Sequence, residues 1–183
     1  YMFFTTITCF EILFVLSLVF NTLYSNRSSV TREVDILEKH IHAQQEDFSS
    51  FIKDTSLVRK LVGRAESLDD LTHLSSKKYG LFLYSVNEFE EVSMKFWSDQ
   101  LIVPPPEMLS AADGEYFTKL SNGWYFIVKQ TLAADIKTGK TLAFAMMPIW
   151  SEFFIETDYL PQQFVHSPEA SKRIRISEAI TEF

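Results

Sequence analysis

Cysteine is almost missing from these 183 residues; the single one is Cys9. No intrachain disulfide and no cysteine-based zinc site can form, and a lone thiol inside an apolar run is a poor nucleophile. Glycine is scarce too, with five residues at 63, 80, 114, 123 and 139. No two stand close enough to build a phosphate-cradling loop, so Rossmann and P-loop signatures are excluded. Basic residues are outnumbered, 17 Lys plus Arg against 24 Asp plus Glu, for a net charge of −7. A nucleic-acid binder needs a basic patch to neutralise phosphates, so no nucleic-acid partner is expected. No histidine, cysteine or carboxylate spacing suggests a metal, and no cofactor is expected.

What is present is unevenly placed. Met2–Tyr24 carries 16 apolar side chains in 23 positions and one charge, Glu11. A bilayer core of about 30 Å needs roughly 20 apolar residues in a helix. A cleaved signal peptide has a shorter apolar core and a small-residue site after it. Here Ser25-Asn26-Arg27 follows, so residues 1–25 read as a transmembrane helix and the lipid bilayer as a partner. Glu11 reads either as a polar contact between helices of a dimer or as a group near the headgroups, protonated where buried; the second reading is preferred. Arg27 and Arg32, taken literally, put residue 25 onward in the cytoplasm. The chain opens on Tyr1 and reads as a fragment, and a basic start ahead of it would reverse that count. Charge alone leaves the orientation open.

Residues 26–63 read as one long heptad-patterned helix. Val30, Val34, Leu37, Ile41, Phe48, Phe51, Val58 and Val62 fall on alternating steps of four and three, with Gln44 and Thr55 as the polar seam positions. Asp35 and Lys39 add an i,i+4 pair. Such a helix is roughly 50 Å long. The better seam, Val30, Val34, Leu37 and Ile41, is assigned to a homodimer that carries a signal. The second half is apolar over a wider face and is assigned to packing on its own domain. His40 and His42, two apart, do not share a face and read as solvated.

Residues 64–165 read as a small antiparallel sheet. A short helix is expected over Ser67–Leu74, capped by Ser67. Strands follow at Gly80–Val86, Val92–Ser98, Glu115–Leu120, Trp124–Leu132 and Thr141–Met147. Asn87–Glu91 makes an acidic turn, Leu101–Ala112 with its three prolines an extended loop, Ser121-Asn122-Gly123 a hairpin turn and residues 137–140 another. Pro148 is expected to close the last strand. Strands apolar on both faces require cover on both, one side from the long helix and the other from the Leu101–Ala112 loop. Ala143 and Ala145 share a face that something can approach closely. Residues 166–183 read as an incomplete C-terminal segment. The fold class is α+β.

This layout of apolar segment, long helix, two strands, loop and three strands resembles that of extracytoplasmic PAS-like (Cache-type) sensor domains. Phe82-Leu83-Tyr84, Lys95-Phe96-Trp97-Ser98-Asp99, Pro104, Leu120-Ser121-Asn122-Gly123-Trp124-Tyr125, and Asp158-Tyr159-Leu160 before Phe164 look like the N-terminal sensing region of Bacteroidetes-type membrane-bound sensor histidine kinases. The resemblance covers about residues 30–180 and rests on aromatic strand and turn signatures. It implies the input end of a two-component receptor in the inner (cytoplasmic) membrane, with its sensor domain on the periplasmic side. No phosphoacceptor box, ATP-binding box or second span is present in this chain, so a kinase core is expected downstream and no enzyme within it.

A pocket for an unknown small molecule or protein ligand is expected around Trp97, Asp99, Trp124, Tyr125 and Lys129. Asp99 ends a strand beside the proline-rich loop, and Lys129 interrupts an apolar run. Core packing of the aromatics is the competing reading. Glu152, Glu156 and Asp158 read as the surface of a helix, not as paired acid–base carboxylates. The alternative to a signalling input is a membrane-anchored binding or structural protein without signalling output.

Overall fold

The computed structural model describes residues 31–100, 102–133, 139–153, 162–168 and 176. The expected apolar span and Val30 lie outside these residues, as do residues 134–138, which include part of the expected turn at 137–140, and residues 154–161. No helix among the described residues is long and apolar enough to cross a membrane.

The expected long helix is two helices. The first, α1, runs over residues 31–53. It ends where Asp54 turns its side chain to the backbone, accepting from Leu57 N at 3.0 Å and from Ser56 Oγ at 2.7 Å. Asp54 is thereby the N-cap of α2, Thr55–Val62, which closes at Gly63. An aspartate that satisfies orphan amides nucleates a new helix more readily than it continues an old one. The third helix, α3, spans Leu68–Ser75 and starts at a capping box between Ser67 and Asp70.

Among the described residues six strands form one sheet: β1 Gly80–Val86, β2 Val92–Trp97, β3 Gly114–Leu120, β4 Gly123–Ala133, β5 Lys140–Ser151 and the short β6 Gln163–Phe164. The order is β2-β1-β5-β4-β3, with β6 on β5 beyond the end of β1, and every pairing is antiparallel. The fold is α+β, as expected. A short fourth helix, α4, Pro106–Ser110, stands inside the expected loop. Proline at its first position needs no amide donor there, so the proline run that forbids a strand also starts this helix.

Both faces of the sheet are covered. On one, Leu81, Leu83, Ala143, Ala145 and Met147 meet Phe48, Phe51 and Ile52 of α1, Val58 and Leu61 of α2 and Leu74 of α3. Ala143 and Ala145 are the small pair expected from the sequence, and the helices lie across them. On the other face Phe82, Tyr84, Ile127, Phe144 and Met146 meet Met108 of α4 and Ile102. The edge strand β3 alternates between exposed and half-buried positions, the pattern of a strand with one wet face.

Two local features differ from expectation. Pro148 lies inside β5, opposite a register shift between Trp124 and Tyr125. On the other edge β1 pairing stops at Met146 and β6 pairing begins at Trp150. The missing proline amide therefore falls in the gap between two neighbours and costs no ladder bond there. The β3–β4 hairpin closes through Ser121-Asn122, and Gly123 is already strand, at φ +145°. A Cβ on Gly123 would lie 1.9 Å from Trp150 O, so close backbone approach demands glycine here.

Heptad positions from Leu37 to Phe51 face the chain's own sheet, whereas Thr55, past the break at Asp54, is exposed. Leu37 and Ile41 pack on Ile149, Trp150 and Phe164, and Gln44 is buried. Val34 stays 50% exposed. Packing on the domain thus reaches further up the helix than the expected split at Ile41. Phe48→Ala should cost about 3–5 kcal/mol in chemical denaturation, whereas Val34→Ala should stay within about 0.5 kcal/mol.

Candidate functional site

The five expected site residues do not form one cluster. Tyr125 and Lys129 share the α4 side of β4, Trp124 lies on the helix side, and Trp97 is 49% exposed at the end of β2. Trp124 stacks on Phe117 at 5.1 Å, with Lys119 Nζ 6.0 Å from its ring. This aromatic pair belongs to the surface of the β3–β4 hairpin. Asp99 packs beside Gly80, where an added Cβ would stand 3.1 Å from Asp99 Cβ. It lines a hollow of about 300 Å³ with Lys78, Ser75 and Pro148. Burial pushes the Tyr125 phenol up; a bond with Asn122 opposes this and the charge of Asp99 adds to it.

Lys129 occupies the more developed position. Its side chain rises from the centre of β4 into an apolar layer and is only 4% exposed. Nζ donates to Leu109 O at 2.9 Å and to Ala111 O at 2.5 Å, and sits 5.8 Å from the Phe144 ring. Burial lowers its ammonium pKa, while Asp113 opposes the shift. Asp113 is committed to β4, accepting from Thr131 N at 2.8 Å and Thr131 Oγ1 at 2.7 Å. Lys129 therefore closes the C-terminal end of α4, where free carbonyls favour a cation, and ties that helix to the sheet.

Beside this tie opens a cleft of about 800 Å³ between α4, the β1–β2 turn and the near ends of β4 and β5. Lys129, Leu142, Leu109 and Val86 supply its floor, and Lys140, Glu88 and Glu90 its polar rim. The turn is shaped by Asn87, whose Oδ1 accepts from Phe89 N at 3.0 Å and Glu91 N at 2.9 Å. The cleft is concave and part-apolar, with a few polar groups at its rim. Among the described residues no group of three or more His, Cys, Asp or Glu is placed to hold a metal, and no arrangement indicates catalytic chemistry.

The opposite face has its own polar fastening, not expected from the sequence. Asp47 of α1 accepts from Tyr79 OH at 2.7 Å and from Lys77 Nζ at 2.5 Å. Lys77 also lies 5.9 Å from the Phe51 ring and 5.6 Å from the Tyr79 ring. Burial alone would raise the Asp47 carboxyl, but the bonds from Lys77 and Tyr79 outweigh it and hold it below the ordinary value. Burial and then Asp47 push the Tyr79 phenol up. Neither grouping carries a sequence signature, because residues 47, 77 and 79 meet only through the packing of α1 on β1.

Two outcomes follow from this geometry. Lys129→Met should cost about 1–3 kcal/mol and raise hydrogen exchange across residues 105–112 well above that of β1. The Asp47 contribution has a lowered folded pKa, so it is present above about pH 4 and lost as pH falls through the folded value. Denaturation midpoints between pH 6 and pH 3 should therefore fall less in Asp47→Asn than in the parent chain.

Compared with protein-family models, curated proteins and solved structures, the chain matches none of them.

Proposed function

We propose that this chain is the signal-sensing input region of a membrane-bound receptor of the sensor histidine kinase type, with a PAS-like sensor sheet held outside the inner membrane. The observation that supports the reading most is a line of physical contact. The cleft lies on one face of the sheet and α1 on the other, and α1 leads back toward the apolar run at residues 2–24. The hairpin β1–β2, the crossover through α4 and the meander β3–β4–β5 inserting β5 beside β1 are in keeping with the resemblance.

The mechanism needs a ligand with different affinity for two states. A small polar ligand entering the cleft meets Lys129 and competes with Leu109 O and Ala111 O for its ammonium. Movement of α4 then changes the packing beneath Phe82, Phe144 and Met146 on one face. Their neighbours Leu81, Leu83, Ala143 and Ala145 bear on α1 through the other. Between two tightly packed layers such a change is a choice between discrete arrangements, not a continuous bend. The N-terminal part of α1, where the heptad position Val34 is half exposed, is the contact offered to the helix of a second copy.

The test joins oligomeric state to output. Val34→Asp should convert a dimer of the full chain in detergent into a monomer and abolish signalling from a receptor carrying it, while leaving the denaturation midpoint within about 0.5 kcal/mol of the parent. Unchanged output with an intact dimer would overturn the dimer-helix role. A reporter fused after residue 183 that is active only in the cytoplasm would overturn the extracytoplasmic placement. A receptor whose coding sequence carries no output domain would leave a membrane-anchored binding protein.

A further inference from the structure

Helix α1 and the stretch after β6 meet at two imidazoles. The rings of His40 and His166 have centroids 3.5 Å apart and planes 41° to one another. His166 follows Val165, whose amide donates to Ile149 O at 3.0 Å and extends the β5–β6 pairing. One residue further on, Ser167 Oγ donates to Glu33 of α1. Phe164 meets Trp150 edge-on at 4.9 Å. The segment 163–168 is therefore strapped between β5 and α1, and the ring stack is the middle of the strap.

The surroundings of the stack oppose positive charge. From α1 come His40 and the neutral Gln44, whose Nε2 donates to His40 Nε2. From the connector between α3 and β1 comes Lys78, whose positive charge acts on both rings. From the strap come His166, whose Nε2 is buried with no hydrogen-bond partner among the described residues, and Ser167, which is engaged with Glu33. Gln44 does not itself select the neutral ring, because a half-turn of its amide presents the buried, unpartnered Oε1 to a protonated His40. The opposition comes from burial, from Lys78 and from the second ring. Burial and then Lys78 lower the His40 pKa; burial, then His40, then Lys78 bring His166 down to about 4.

We propose that the His40–His166 stack is a proton-operated latch: neutral rings hold residues 163–168 on α1, and a proton on either ring, set against the other ring and Lys78, releases them. The sign follows from linkage. Both folded-state values lie below the ordinary histidine value near 6.5, so the docked form is fully favoured above that pH and loses ground as pH falls toward about 4. The latch is a property of the chain whether or not it signals. In a receptor it would make mild acidity an input that acts on α1 directly, without the cleft.

The test is an NMR titration of the full chain in detergent micelles from pH 8 to pH 4, following the imidazole signals and the exchange of the Val165 amide. The His166 ring should titrate at least about one unit below the ordinary value. Exchange at Val165, corrected for its intrinsic pH dependence, should accelerate by up to about tenfold per pH unit between pH 6 and pH 4.5. His166→Phe keeps a ring beside His40 without its own titratable nitrogen, and the opening at Val165 between pH 6 and pH 4.5 should then weaken to what protonation of His40 alone supplies. Ordinary titration of both histidines, flat Val165 protection in the parent chain, or unchanged pH-dependent opening in His166→Phe would each overturn the latch. The first two need no variant, so a variant that fails to fold still leaves the question decided.

Discussion

The constraint on which the structure depends is that β1 and β5, side by side at the centre of the sheet, are apolar on both faces. Leu81, Leu83, Ala143 and Ala145 point one way, and Phe82, Tyr84, Phe144 and Met146 the other. Neither set tolerates water, so the sheet must be sandwiched. Three helices answer on the first face and α4 on the second. The asymmetry of the two layers follows from side-chain size. Alanines on β5 let α1 and α2 lie close with large residues such as Phe48 and Leu61. Aromatics on the opposite face fill the space themselves and leave α4 only Met108 and Leu109 to contribute.

Each layer is then pinned by a cation set among aromatic rings. Lys77 does this under α1, held by Asp47 beside Phe51 and Tyr79. Lys129 does it under α4, held by two carbonyls above Phe144. An ammonium in such a place is costly unless its donors are satisfied, so each lysine demands one orientation of the element above it. The two holds differ. Lys77 has a carboxylate partner, whereas Lys129 relies on carbonyls at the end of a five-residue helix beside an open cleft.

Much of this was legible in the residues, and the failures have physical causes. The Ser67–Asp70 capping box and the apolar run of β1 act locally, so their positions could be read directly. The cover on both faces followed from the lack of alternation. The break at Asp54 was missed because the heptad pattern runs through it, while the competing bonds to Leu57 and Ser56 are local and outweigh it. Pro148 was read as a terminator because its neighbours were unknown; it is tolerated only because β5 changes partner there. Asn122-Gly123 signalled a hairpin correctly, but the glycine answers to Trp150 O across the sheet, not to the turn. Of the candidate site, Lys129 was picked out as a charge in an apolar run. Its partners could not be, since backbone carbonyls have no signature.

The sequence by itself determined the composition of each layer: an apolar run, a heptad stretch, and strands whose two-sided apolarity demands cover. These are properties of period and side-chain type, and they hold whatever the chain packs against. Only the tertiary structure decided what the heptad seam is used for. Leu37 and Ile41 have the spacing to face a second helix, yet they face this chain's own β5 and β6. The same packing set His40 against His166, residues 126 positions apart. Periodicity shows that a face must be buried; it carries no information on which surface buries it, because that depends on shapes and distances created by the rest of the chain.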